Sequence, residues 1–395
     1  MRPRPGGAIT ADVAVIGAGI VGAASAYRLA QAGLDTVVVE AQAAPASGST
    51  GRSAAGVRVQ FGDPLNVDLS WESIQEYRDF EALHGRPSGY DPLGYLFLVP
   101  RAAAPSHLRA LELQQGYGAP VTELDPSAAQ RLVPFAIDPE TTFTTTFGAA
   151  DGVVDPHAIT MAYLDLARGL GARLLLSAPV TAAAFDGAAW RLTTPQGGVT
   201  AAQVVCAAGA WSGEVAALAG LDVPVVPVLR SVYATAPLPA RHRYPLTVDL
   251  ASGVYLRSEG PRVIMGRSNR EQPPGFHEGV DFADLDRVLG LALERFPWLA
   301  ATRLDRRASW WGYYEVTPDE NPVLGRMPAV APGAAAWLNA CGFSGHGVQQ
   351  AARVGRLVAE EAALGRVRTL DIDPFRYERF LAAAGPGPRR ESHIV

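Results

Sequence analysis

One stretch limits this chain more than any other: residues 11–40, ADVAVIGAGIVGAASAYRLAQAGLDTVVVE. A short apolar run, Val13, Ala14, Val15 and Ile16, suits a strand buried on both faces. Gly17, Gly19 and Gly22 follow at G-x-G-x-x-G spacing, then a helix-forming segment to Gln31, a turn at Gly33 and a second apolar strand over 36–39 closed by Glu40. The glycines meet different demands: a tight turn at Gly17, close backbone approach to a pyrophosphate at Gly19, and close packing of helix on sheet at Gly22. Free N–H groups and the dipole at the helix N-terminus favour phosphate there. Glu40 stands where an acid accepts hydrogen bonds from a ribose diol and disfavours a 2′-phosphate. Alone, the glycine spacing is a weak signal, no more than a Gly-rich turn. With strand, helix, second strand and acid in register, it predicts dinucleotide binding.

The 395 residues allow one large or two ordinary domains with ample core. With 48% hydrophobic and 18% charged residues the composition is that of a soluble globular protein, and a net charge of −5 argues against a general nucleic-acid binder. Two cysteines, Cys206 and Cys341, make neither a disulfide framework nor a metal-ligand cluster, so no metal is expected. The N-terminus MRPRPGGA runs into the first strand without a separate apolar signal region, and no segment reads as a membrane span. Cytoplasm is the default expectation. The chain holds no lysine, so all 34 of its Lys+Arg residues are arginine, and a Schiff base through a lysine of this chain is excluded.

Beyond Glu40, residues 41–56 are small and polar. They read either as a flexible linker or as donors lining a cofactor. Residues 57–61 place Arg58 among apolar neighbours, and 64–84 show helical spacing of apolar residues. Strands are expected over 93–99, 141–147, 173–176, 203–211, 224–234, 253–266 and 336–340, and a hairpin about Gln196, Gly197 and Gly198. Helices are expected over 105–115, from Asp155-Pro156 to about 169, over 284–296 and over 348–364, with Asp125 capping a shorter one. The turn Gly342-Phe343-Ser344-Gly345-His346-Gly347 feeds the last long helix, so a second set of free N–H groups is available to an anionic or carbonyl-bearing ring.

The pieces VIGAGIVGAASAYRLAQAG, STGRSAAGVRVQF, DGVVDPHAITMAY, VVCAAGAWS, YYEVTPDENPVLG and GFSGHGVQQA carry a resemblance over about residues 11–360. Their order resembles the D-amino-acid oxidase family of FAD-dependent oxidoreductases. Within it, the chain looks most like the branch of glycine oxidase, sarcosine oxidases and the β subunits of dye-linked proline dehydrogenases. The resemblance implies an α/β fold: a Rossmann-type FAD-binding domain in three segments (8–88, 150–222 and 323–385) with an inserted α+β substrate domain (89–149 and 223–322) built on a mixed antiparallel sheet. It implies that Gly17, Ala18, Gly19, Ile20, Val21 and Gly22 hold the pyrophosphate, and Glu40 and Ala41 the adenosine side. Ser49, Thr50, Gly51, Arg52, Ser53, Ala54, Ala55 and Gly56 would pass beside the isoalloxazine, and Val180 would touch adenine. Ala207, Ala208, Gly209 and Trp211 would line the middle of the cofactor. Gly342, Phe343, Ser344, Gly345, His346, Gly347, Val348 and Gln349 would set backbone donors near the flavin C2 carbonyl and N1, where negative charge grows on reduction.

Three departures from the sarcosine oxidases matter. Gly312 stands where their FAD-linking cysteine is, so FAD is expected to be non-covalent, with Cys341 as a remote alternative attachment. Gln349 replaces a lysine that assists carboxylate binding. The lysine that activates dioxygen corresponds to Ile264, with Arg262 or Arg267 as substitute cations, which tilts the expectation from oxidase toward dehydrogenase. The expected reaction is oxidation of the C–N bond of a small amino acid or N-alkyl amino acid (sarcosine-, glycine- or proline-like), with dioxygen or an electron carrier as acceptor. Arg58 matches a carboxylate-binding arginine, a role guanidinium geometry suits; the alternative is a surface ion pair. Tyr255 either donates to the same carboxylate or is an aromatic of the sheet. His346 either touches substrate or flavin or is a structural turn residue. Gln349 completes the catalytic candidates. A nicotinamide-dependent dehydrogenase is disfavoured because the later glycine turns would serve nothing. A non-catalytic FAD-containing assembly factor, or a subunit of a larger dehydrogenase complex, remains the alternative. A homo-oligomer or a heteromeric complex is compatible with either.

Overall fold

The structure, a computed structural model, describes residues 9–239, 243–269 and 271–381. The N-terminal reading of residues 1–8 and the outer ends of the expected first domain, residue 8 and residues 382–385, lie outside these.

The strand Ile9–Ile16 is central to an eight-stranded sheet because its inward residues, Val13 to Ile16, find apolar cover on both faces. Gly197–Cys206 pairs parallel to it on one side and Thr36–Val39 on the other. Arg173–Leu175 extends the sheet parallel beyond Thr36–Val39, and Trp337–Cys341 beyond Gly197–Cys206. Antiparallel Val323–Arg326 ends that side, while Trp190–Thr194 and Ala182–Phe185 branch from the first half of Gly197–Cys206. Sequence order reverses around Ile9–Ile16, and such a switch point opens a crevice at the carboxyl ends of the strands.

Helices Ile20–Gln31, Pro156–Gly169 and Gly347–Leu364 cover one face of this sheet. The first and last pack closely enough that a Cβ on Gly355 would sit 2.8 Å from the Ala24 backbone. The expected helix over 64–84 is two, Pro64–Arg78 and Phe80–His84. Asp79, a residue that competes poorly as a helix interior, leaves the helical path there, and the break turns Phe80 fully inward.

A second eight-stranded sheet runs in the order Trp310–Val316, Val226–Ala234, Arg262–Arg267, Val254–Glu259, Leu246–Asp249, Tyr95–Val99, Thr144–Gly148, Val121–Leu124. Its pairs are antiparallel except Leu246–Asp249 with Tyr95–Val99. The single strand expected over 253–266 is therefore a hairpin, Val254–Glu259 and Arg262–Arg267, turning at Gly260 (φ +55°). Helix Leu285–Arg295 covers one face through Val288 and Ala292. The strands of the first sheet all fall within 8–88, 150–222 and 323–385, and those of the second within 89–149 and 223–322. The fold is thus α/β, with a doubly wound sheet and a mixed, mostly antiparallel one.

Candidate active site

A cavity of about 780 Å³ opens at the carboxyl ends of Ile9–Ile16 and Gly197–Cys206 and runs to the second sheet. At its start, Gly17 (φ +107°) adopts a backbone angle that other residues avoid, and its Cα abuts the Ala207 carbonyl. A Cβ on Gly22 would collide with the Gly17 carbonyl oxygen. The first turn of Ile20–Gln31 is thereby pressed against the strand end, with Gly19, Ile20 and Val21 in the cavity wall. Thr50 Oγ1 accepts the Ile20 N–H at 3.1 Å. The later first-turn N–H groups have no intrahelical acceptor and face an anion-binding position.

Glu40 and Ala41 line the same end, as do Val180 and, further along, Ala207, Ala208, Gly209 and Trp211. The Glu40 carboxylate accepts N–H groups from Ala18 (2.7 Å) and Gln42 (2.8 Å). A carboxylate has about four acceptor positions, so this leaves capacity for a diol. Ser49, Thr50, Arg52, Ser53, Ala54, Ala55 and Gly56 form one side of the middle, the Arg52 guanidinium lying 4.2 Å from the Trp311 ring. Ala55 holds a left-handed backbone (φ 61°) in this run.

Six of the expected cofactor contacts stand behind the wall instead of in it. Ala18 is buried and spends its N–H on Glu40. Gly22 is occupied by Gly17, and Gly51 abuts the Ala46 carbonyl. Gly342 gives its N–H to Glu315 Oε2 at 2.9 Å, Phe343 is a core side chain, and the Ser344 N–H goes to the Glu315 carbonyl at 3.0 Å. These residues shape the site by packing. Gly345, His346, Gly347, Val348 and Gln349 do line the cavity.

The far end is built on Arg58, which at 3% exposure is no surface cation. Its backbone N–H donates to Gln349 Oε1 (2.9 Å), and the next N–H, of Val59, donates to Asp151 Oδ1 (2.8 Å). Its guanidinium donates to the Gln60 carbonyl and lies 4.0 Å from the Phe61 ring centre. The Gln60 amide continues the network to Asp151 Oδ2 and to the Tyr95 carbonyl, and its Oε1 accepts from Thr146. Burial pushes Asp151 up to about 7, against the hydrogen bonds from Gln60 and Val59 and the nearby Arg58 charge. His346 meets Phe61 edge to face, at 4.8 Å.

Three tyrosines close this end, and each rests on a glycine. A Cβ on Gly56 would strike the Tyr95 hydroxyl, one on Gly266 the Tyr255 hydroxyl, and one on Gly345 the Tyr314 ring. All three rings border the cavity, and burial raises all three phenols, so they remain hydrogen-bond donors. Tyr255 is opposite Gly266 in the hairpin, a sheet aromatic that also faces the cavity.

Sequence reasoning missed five residues here: Tyr95, Asp151, Arg230, Tyr314 and Glu315. Arg230 is a cation inside the β-forming run 224–234, and Tyr314 and Glu315 end the aromatic run that starts at Trp310, so all three left a trace. Asp151 opens the DGVVDPHAITMAY piece of the resemblance, but that piece reads locally as a turn before a helix and gave the acid no role. Burial pushes Glu315 up to about 7, opposed by the N–H groups of Gly342 and Phe343. Neither substitute cation reaches the cavity. Arg262 pairs with Asp305 at 2.8 Å, and Arg267 donates to the Ser252 carbonyl. Ile264 packs with Val232 and Ala54 in an apolar cluster. Cys341 is enclosed beside Cys206 and does not border the cavity, whereas Gly312 does. Among the described residues, no cluster suited to a metal ion occurs, and no helix is long and apolar enough to cross a membrane.

The glycine cradle at Gly17, the open first-turn N–H groups, the diol-capable carboxylate and a cavity of this length fit a flavin adenine dinucleotide. The family model for FAD dependent oxidoreductases (DAO) matches residues 12–361. The chain is 31% identical over 434 residues to FAD-dependent oxidoreductase domain-containing protein 1 of Xenopus laevis, covering 98% of this chain and 85% of that protein. It is 29% identical over 398 residues to mitochondrial dimethylglycine dehydrogenase of Mus musculus, covering 94% of this chain. There it spans only 44% of the relative's length. L-proline dehydrogenase from P. horikoshii superimposes with a TM-score of 0.86 at 29% identity, covering 95% of this chain and 98% of the other.

Proposed function

Because this chain belongs to the DAO family of FAD-dependent oxidoreductases, we propose that it oxidises the C–N bond of a small amino acid or N-alkyl amino acid. The observation that carries this reading is the placement of Arg58. It is a buried guanidinium in the wall of the cavity, bordered by phenols, on a backbone held by Gln349 at the Arg58 N–H and by Asp151 at the Val59 N–H. A guanidinium pairs with a carboxylate through two parallel hydrogen bonds, and Tyr255 and Tyr314 are donors on the same wall.

When bound, FAD supplies the acceptor for the hydride that leaves the substrate α-carbon. The substrate nitrogen gives up a proton to solvent as the C=N bond forms, and water later hydrolyses the imine. Arg58 and Arg230, both in the cavity wall, disfavour an ammonium beside them and so favour the neutral amine that this step needs. No side chain has to act as a strong base. The apolar wall of Val232, Leu246 and Val248 excludes water during the transfer. Since Ile264 offers no charge near Ala54, electrons pass to a carrier in preference to dioxygen.

Anaerobic mixing of the yellow holoprotein with sarcosine, proline and other N-alkyl amino acids tests the reading. Bleaching is expected with at least one of them, and slow recovery on readmitting air is expected of a dehydrogenase. Arg58→Ala should lower the reduction rate at low substrate by about 10- to 100-fold, the worth of a charge-assisted hydrogen bond. Equal rates would remove the carboxylate role. A stable flavin that no amine bleaches would favour a non-catalytic FAD protein.

A further inference from the structure

The Val226–Ala234 strand directs Arg230 and Val232 to the cavity, while Ser231 and Tyr233 point the other way and bond to Asp281. Arg230 is opposite Gly312 in the ladder. Its guanidinium carbon lies 5.1 Å from the centre of the Tyr314 ring, and its Nη1 donates to the Leu229 carbonyl at 3.0 Å. Its Nε is buried with no hydrogen-bond partner. Among the described residues no acid forms an ion pair with it; Glu320 and Asp284 act on it only through space. Burial pulls the guanidinium down from its ordinary value. Among the described residues, the more deeply enclosed side chains of Arg295 and Arg379 each have an acid in contact, Asp249 at 2.8 Å and Asp319 at 2.9 Å. Arg230 is half-buried, and a cation taken partly out of water without a counter-ion is costly, a cost that a ligand anion offsets.

Arg58, Arg230 and Tyr314 border the same cavity, and the charges of both arginines act on the Tyr314 phenol, so the cavity holds two cationic stations. One carboxylate satisfies one station. We infer that Arg230 receives a second anionic group, so that the preferred substrate is a dicarboxylic secondary amine, an amino acid whose nitrogen or side chain carries another carboxylate. The inference rests on the amine-oxidation reading for the identity of the substrate, but the ligand preference itself is measured without turnover.

The test uses the FAD-loaded protein and two thioethers in which sulfur replaces the amine, thiodiacetate and (methylthio)acetate. Binding is read from the change in visible flavin absorption. Wild type should bind thiodiacetate about tenfold or more tighter than (methylthio)acetate, as expected for one additional charge-assisted contact. Arg230→Gln should collapse that ratio toward one, and Arg230→Lys, which keeps the charge, should retain part of it. Equal affinity of wild type for both probes overturns the proposal without any variant. So does an Arg230→Gln protein that weakens both probes equally, which would make Arg230 a grip for the single carboxylate. Because neither probe undergoes amine oxidation, a clear preference with no amine bleaching the flavin would sink the reaction and leave the dianion site standing.

Discussion

Glu76, behind the first sheet, and Glu315, in the cavity wall, are both deep carboxylates, and their surroundings move them in opposite directions. Burial alone would raise Glu76, but His84, Arg28, Tyr163 and Arg356 outweigh it and bring it down to about 2. Arg28 and Tyr163 approach to 2.6 Å and His84 to 3.0 Å, so one charge ties together Ile20–Gln31, Pro64–Arg78, Phe80–His84 and Pro156–Gly169. Glu315 has only backbone donors, and burial wins. Arg230 repeats the contrast among the cations, lacking the acid that Arg28 has. In one region charge is neutralised within the chain and serves as scaffold. In the other it is left uncompensated, which is tolerable where a ligand completes the balance.

Breaking the scaffold side should cost most. Glu76→Ala strands Arg28 without its acid, leaves Arg356 with Glu72 alone, and should destabilise the fold by about 3–5 kcal/mol, read from denaturant unfolding. A loss within 1 kcal/mol would mean that the helices need no ionic centre.

Next comes Gly345→Ala, which demands a left-handed alanine (φ +95°) and drives a methyl into the Tyr314 ring. About 1–3 kcal/mol of strain is expected, with weaker retention of flavin or substrate. Gly365→Ala is the control, since Gly365 has φ +75° but open space around it. If both variants lose the same stability, Tyr314 is not anchored by that contact.

The two acid regions also differ in pH response. Glu76 ionises more readily folded than unfolded, so its contribution is present above the ordinary value of 4.5 and lost as pH falls toward about 2. Asp151 holds a proton up to about 7 when folded but only to 3.8 when unfolded, so it erodes stability as pH rises through that window. Asp151→Asn should therefore flatten the fall in unfolding free energy between pH 4 and pH 7. An unchanged slope would place the loss elsewhere, Glu315 being the next group to replace.

The smallest effect should come from Ala55→Gly. A left-handed alanine costs about 1–2 kcal/mol and glycine gives back about 0.5–1 in chain entropy, for a net gain near 0.5 kcal/mol. A loss instead would show that the Ala55 methyl makes a contact worth its strain.

The fingerprint half was legible because its constraints are local. Glycine spacing, two apolar runs and an acid all fall within 30 positions, and the helix, strands and cradle follow from them. The family resemblance supplied the second sheet and the arginine at 58. The roles of residues such as Tyr95 and Asp151 were not legible, because what makes them part of the site is partnership across long separations. Gly56 and Tyr95, or Tyr314 and Gly345, carry no mutual signal in one sequence. The same holds for Gly342 and Phe343, which looked like cofactor contacts from the glycine-rich turn and prove to be the turn's own support.

The clasp between the Arg58 backbone and the Gln349 amide joins positions 291 apart. During synthesis the nucleotide cradle can collapse as soon as the first strand–helix–strand unit leaves the ribosome, whereas the substrate end has no fixed shape until the last long helix docks. A nascent chain would therefore acquire its cofactor grip long before it could recognise an amino acid. A chain stopped ahead of Gln349 should be unable to hold Arg58 for a carboxylate even if its first unit folds.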